Sequence, residues 1–253
     1  MKKVTIVFVL GLLTGVTVKA QNADAQLQKA DVLYKQFKEK DALDAYKAVL
    51  AIDPNNIAAL VKCVELNSSL GKKQVDKDSR NSYYFSSKEY ADKALAANPN
   101  SADAYYTESL AHANLSVTET ENKKVVEDVK QIKIYADKGL AINANHAMLN
   151  YMEGKWHYEM LNLNWFKKAA LKTFYGSGLT KPDADSAVFF MEKCRTLSPY
   201  FVQNYLDLSK AYRLKKQPTQ EMEVLSKMVT LPNRMADDAL VKEEGKKRLQ
   251  ELK

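Results

Sequence analysis

Two hydrophobic patterns run along the chain. From Val4 to Val18, 15 residues pass without a charge. Beyond Gln21 the apolar residues come in short, spaced groups. Val125, Val126, Val129 and Ile132 are one such group and fall on one face of a helix. These groups sit within long stretches of Ala, Lys, Glu and Leu, with only 8 Gly and 6 Pro in 253 residues. Few breakers and many helix formers predict an all-α chain.

The helical pattern repeats. The run Tyr90–Tyr106 aligns with Tyr135–Tyr151 at an offset of 45 residues, with 10 of 17 positions identical. The same offset carries Pro99 back to Pro54 and forward to Ala144, and a further copy ends at Pro199. Each copy reads as helix, Asp/Asn-Pro turn, helix. Proline lacks an N–H and disfavours a helical residue before it, so the first helix stops there. The Asn or Ser just beyond can cap the next helix.

This arrangement resembles the tetratricopeptide repeat. The small residues of that signature are matched in the first unit by Ala30, Ala42 and Val49, its aromatic by Tyr46 and its proline by Pro54. Later units supply Ala91, Ala94 and Pro99, then Gly154, Ala187, Cys194 and Pro199. The resemblance implies helix pairs stacked in a right-handed solenoid. The spacing exceeds the usual length of about 34 residues. The surplus falls near Gly71–Ser87, Ser116–Lys130 and Leu161–Asp183 and predicts lengthened or inserted segments. The expected organisation is a leader over 1–20 and one repeat domain over 22–253. That domain holds about 4–5 helix pairs and a polar capping helix near Ala236–Leu252.

A narrower resemblance lies in the second half. It rests on Met152–Glu159 with Gly154, Lys155 and Trp156, then Leu163, Trp165 and Phe166, then Phe174-Tyr175-Gly176. It continues through Pro199–Phe201, Asn204 and Ser209–Tyr212. Together these are similar to the regulator of microtubule dynamics family. The double proline that often follows the Phe-Gly element is absent from Gly176–Pro182. The resemblance implies the repeat fold. Its microtubule association would need a cytoplasmic or membrane-anchored chain.

The N-terminus points elsewhere. Lys2-Lys3, the charge-free run and Val18-Lys19-Ala20 before Gln21 have the shape of a secretory signal peptide. The run falls short of the about 18 apolar residues of a span, so cleavage is expected over anchoring, leaving no membrane span. Loss of Met1–Ala20 removes Lys2, Lys3 and Lys19, so 38 basic residues become 35 against 31 acidic ones, a net charge of +4. The charges are interleaved, which predicts solvated helix faces and no nucleic-acid partner. The expected location is the periplasm or cell envelope, with secretion or retention by an uncleaved N-terminal anchor as the alternatives. Cys63 and Cys194 read as buried free thiols rather than a disulfide framework.

No catalytic pattern stands out. His112, His146 and His157 lack metal-ligand spacing, and Gly176-Ser177-Gly178 reads as a loop rather than a phosphate cradle. Neither enzyme activity nor a cofactor is expected. Binding remains, through the concave face lined by the first helix of each unit. In unit two the resemblance places Val61 and Glu65 where chaperone-binding relatives carry a Lys and Asn carboxylate clamp. In later units it places Tyr106, Tyr151, Lys155, Tyr158, Lys210 and Arg213 in the groove. Tyrosines and cations together predict a peptide or protein partner of acidic character. An anchored cytoskeletal protein and an enzyme with an unfamiliar site are the competing readings.

Overall fold

The computed structural model describes residues 7–163 and 181–252, with side chains from Gln21 onward. The leader's side chains, the Trp165–Gly176 motif and the Gly176–Gly178 turn lie outside the described residues. Eleven helices are described: α1 Val7–Lys35, α2 Glu39–Ile52, α3 Ile57–Lys72, α4 Lys77–Ala97, α5 Ala102–Thr118, α6 Asn122–Ile142, α7 Ala147–Asn162, α8 Ala184–Leu197, α9 Val202–Leu214, α10 Pro218–Thr230 and α11 Asp238–Glu251.

They alternate between two layers. The odd-numbered helices touch their own partners, the preceding even-numbered helix and one another, so they form an inner wall. The even-numbered helices back them. This is a helical-repeat solenoid, in which each unit buries its apolar face only against its neighbours. The core is accordingly a chain of clusters. One is centred on Tyr46 and Leu66, the next on Leu149 and Trp156, and the last on Met191 and Leu225.

The turn between units is one device used four times. Asn56, Ser101, His146 and Phe201 each donate their N–H to the carbonyl three residues back, over 3.1–3.2 Å. Asp53, Asn98 and Asn143 stop their helices in extended conformations and accept an N–H two residues on. The side chains of Asn56, Ser101 and His146 then cap the next helix. The turn at Ala144 keeps this geometry without its proline. The Asx and cap bonds fix the turn, and proline only favours it.

The first two length surpluses become helix, not loop. α4 and α6 each span 21 residues, against 14 in α2 and 13 in α10. Apolar Val126, Val129 and Ile132 of α6 pack onto the central cluster, as their spacing predicts. Cys63 and Cys194 are buried, unpaired and in different clusters, and burial pushes each thiol up to about 12. The last helix begins at Asp238 and does more than cap, because its first turn faces the concave cavity.

Candidate functional site on the concave face

The inner wall encloses a cavity of about 200 Å³. Every odd-numbered helix sends side chains into it. They are Tyr34 from α1, Glu65, Ser68 and Ser69 from α3, Tyr106 and Leu110 from α5, Met148 and Tyr151 from α7, Gln203 from α9 and Val241 from α11. Phe37, Glu39, Lys72, Phe201 and the segment Arg234–Asp238 also line it.

One wall is organised around Glu65. Its carboxylate accepts from Lys62 at 2.7 Å and from the Tyr106 hydroxyl at 3.3 Å. The Lys62 ammonium also lies 4.4 Å above the Tyr34 ring, a cation seated between an aromatic face and an acid. Burial, then Glu65, pushes the Tyr106 phenol well above its ordinary value, so it stays a hydrogen-bond donor.

Behind the cavity-lining Tyr151 a second network is organised around Asp207, which is 5% exposed and is not itself in the lining. Tyr151 donates its hydroxyl hydrogen to Asp207 at 2.7 Å, and Lys155 reaches both groups at 3.2 Å. Lys210 approaches the other carboxylate oxygen at 3.8 Å and pairs with Glu244 of α11 at 2.9 Å. Burial works to raise the Asp207 pKa. Lys155, the Tyr151 hydroxyl and Lys210 outweigh it and hold Asp207 below the usual carboxylate range.

The six residues expected in the groove therefore divide. Tyr106 and Tyr151 line the cavity and are largely buried. Lys155 and Lys210 join Tyr151 around Asp207. Tyr158 packs partly buried against the C-terminal cluster. Arg213 lies apart, bonded at 2.8 Å to Glu221, which Arg248 also reaches at 2.7 Å. Each of the three cations has a carboxylate within the chain. The Tyr34–Lys62 pair and the returning Arg234–Asp238 segment were missed. Glu65 did fall on the groove face by register, but no local pattern announces a segment that folds back from the far end.

A second cavity of about 760 Å³ lies between α5, α6 and α7, walled by Val125, Val129, Trp156 and Met160, with Lys155 and Glu159 at its border. Among the described residues no group of three or more His, Cys, Asp or Glu side chains could hold a metal ion. The histidines have other partners. His112 and His157 sit beside buried Glu108 and Glu153, and His146 caps α7 while bonding Asp103 at 2.9 Å.

The family model for regulator of microtubule dynamics proteins 1–3 matches residues 26–253. Regulator of microtubule dynamics protein 1 from Caenorhabditis elegans is 25% identical over 188 residues, covering 74% of this chain and 80% of the relative. A thermophilic tetratricopeptide-repeat protein of Thermus thermophilus superposes with a TM-score of 0.65 at 14% identity, covering 90% of this chain and 99% of that one. The type IV pilus biogenesis factor PilW gives 0.52 at 17% identity, with 91% and 93% covered. These structural likenesses concern the fold.

Proposed function

The chain belongs to the regulator of microtubule dynamics protein 1–3 family, and on that premise we propose that it is a non-catalytic interaction module that holds a peptide or protein segment in its concave groove. One observation carries this reading: all six inner helices converge on one cavity whose lining is aromatic, apolar and hydrogen-bonding. A few polar groups set among apolar walls suit recognition. The charge-free Val4–Val18 run behind Lys2-Lys3 supports export, which makes the cell envelope its place of work.

Met148 lines the cavity from the first turn of α7. Met148→Arg should fill the groove and abolish recovery of the native chain's partner from envelope extract, measured by quantitative mass spectrometry. Equal recovery by a folded variant would overturn groove binding. A mature N-terminus at Gln21 is the expected sign of export, and an intact Met1 in the envelope fraction would refute cleavage.

A second reading is an anchored, cytoskeleton-associated protein. The name of the Caenorhabditis relative favours it, as does α1, which runs unbroken from Val7 into the first repeat. Co-sedimentation of the full chain with polymerised tubulin would support this reading, and its absence at saturating polymer would remove it.

A further inference from the structure

The mouth of the concave cavity is crossed by the chain itself. The strap 231–237 joins α10 to α11. Its Asp237 reaches Lys73 beyond the end of α3 at 3.0 Å, and Lys73 also pairs with Glu39 of α2. Arg234 lies over Tyr200, its guanidinium carbon 3.8 Å from the ring centroid. Arg234 and Met235 both border the cavity, yet Met235 remains 38% exposed. Asp238 accepts the N–H groups of Arg234 and Met235 at 2.7 and 2.8 Å, so the strap's backbone is fixed and what a partner could replace at the cavity is the two side chains.

Four acids stand in the cavity lining, and each has a partner within the chain: Lys73 for Glu39 and Asp237, Lys62 for Glu65, and the N–H groups of Arg234 and Met235 for Asp238. The seat between Tyr34 and Glu65 already holds one cation, Lys62. Arg234 on Tyr200 repeats the aromatic half of that chemistry. By contrast Lys155, Lys210 and Arg213, which would have drawn an acidic partner, are each engaged by Asp207, Glu244 or Glu221. Two tyrosine faces, Tyr34 and Tyr200, each seat a cation of the chain, and Arg234 does so beside an apolar Met235, so the stand-in itself favours a cation with an apolar neighbour.

We propose that the partner segment is extended and basic–apolar, an Arg or Lys beside a large apolar side chain, and that Arg234-Met235 occupies the mouth as an internal stand-in which this partner displaces. The proposal rests on the groove-binding reading and names its ligand class.

The test uses the full chain and three fluorescent peptides, capped at both ends. The first has the sequence Leu231–Ala236, the second carries Glu in place of its Arg, and the third Ser in place of its Met. Anisotropy measures their binding to the native chain and to the Arg234→Ser/Met235→Ser double variant, with folding checked by circular dichroism. The unaltered peptide should bind the double variant about ten-fold tighter than the native chain, because the strap no longer lowers the fraction of open sites. Each altered peptide should bind about ten-fold more weakly than the first. Equal or tighter binding of the Glu peptide overturns the proposal and leaves groove binding standing. No binding of any peptide to the folded double variant also overturns it, while the Met148→Arg capture experiment judges groove binding separately. Glu65→Gln, outside the strap, should weaken the unaltered peptide by about ten-fold on the native chain. Unchanged affinity there removes the proposed cation seat.

Discussion

Gly154 lies so close to Ala187 that a Cβ on Gly154 would stand 2.9 Å from the Ala187 carbonyl oxygen and 2.7 Å from Cγ of Met191. This is how α7 and α8 approach one another across a connection of more than 20 residues, Leu163–Asp183. Gly154→Ala should gain about 1 kcal/mol of helix propensity. It should lose about 1–3 kcal/mol to overpacking, since backbone and the fully buried Met191 cannot swing away. The clash is expected to win, leaving a net loss of about 1 kcal/mol in urea denaturation. Gly245→Ala is the counter-case. Its new Cβ would overlap Cε at the tip of the equally buried Met228 side chain, 1.9 Å away, but meets no backbone atom, so a smaller loss than at Gly154 is expected.

A buried ionic register crosses the same helix layers. Lys88 pairs with Glu108 at 3.3 Å and Lys133 with Glu153 at 2.7 Å, and the two pairs are 45 residues apart. Each lysine also holds an aspartate one turn on, Asp92 or Asp137. One repeat earlier the equivalent positions are Leu43 and Cys63, and in the repeat after Glu153 they are Val188 and Leu208. Charge appears on both sides of the contact or on neither. Lys133→Leu alone should cost about 3–5 kcal/mol by stranding Glu153. Adding Glu153→Cys should recover most of that loss, and a double-mutant cycle in guanidinium would measure the coupling. Additive costs would show that the pair does not act as a unit.

That register is legible in the sequence, because the 45-residue match that sets the turns over Tyr90–Tyr151 also relates His112 to His157 and Glu108 to Glu153. Periodicity carries the repeats because small residues and Asx turns act locally; Tyr106 and Tyr151, which the repeat resemblance puts in the groove, line the cavity. It did not supply the counter-ions. Asp207 meets Lys155 across 52 residues, and Asp237 meets Lys73 because the solenoid brings its two ends together. Sequence spacing says which face a side chain occupies, not what another unit places opposite it.

The Tyr151–Lys155–Asp207 trio should make stability depend on pH at both extremes. Asp207 is held below the usual carboxylate range, so its contribution is present above the unfolded pKa of about 3.9 and is lost as pH falls through the folded value. Lys155 is raised by the Tyr151 oxygen, opposed by burial and raised again by Asp207. Its contribution is present below about pH 10.4 and is lost as pH rises through the folded value. Between those limits the trio is fully formed. Asp207→Asn should flatten the acid limb of a Tm-against-pH curve and lower Tm at neutral pH, because Lys155 loses its carboxylate. An acid limb identical to that of the native chain would assign the acid sensitivity elsewhere.

Two non-glycine residues sit in the left-handed region, Phe37 at φ 60° and Lys216 at φ 57°. They close the short turns of the first and last units by the same bonds. Lys38 donates to the Leu33 carbonyl at 3.1 Å, and Gln217 to the Tyr212 carbonyl at 3.0 Å. This is the helix-ending motif that favours glycine at the left-handed position, where a Cβ costs about 1–2 kcal/mol. Glycine would remove that strain but adds freedom to the unfolded chain, which offsets part of the gain. For exposed Lys216 the strain term is the larger, and Lys216→Gly should stabilise the fold by about 0.5–1 kcal/mol, read as a higher urea midpoint at unchanged slope. Phe37→Gly relieves the same strain but removes an aromatic ring from the cavity lining, so any gain in midpoint should come with weaker peptide binding. A lower midpoint for Lys216→Gly would mean that this turn draws stability from the lysine side chain and that the backbone stores no strain there.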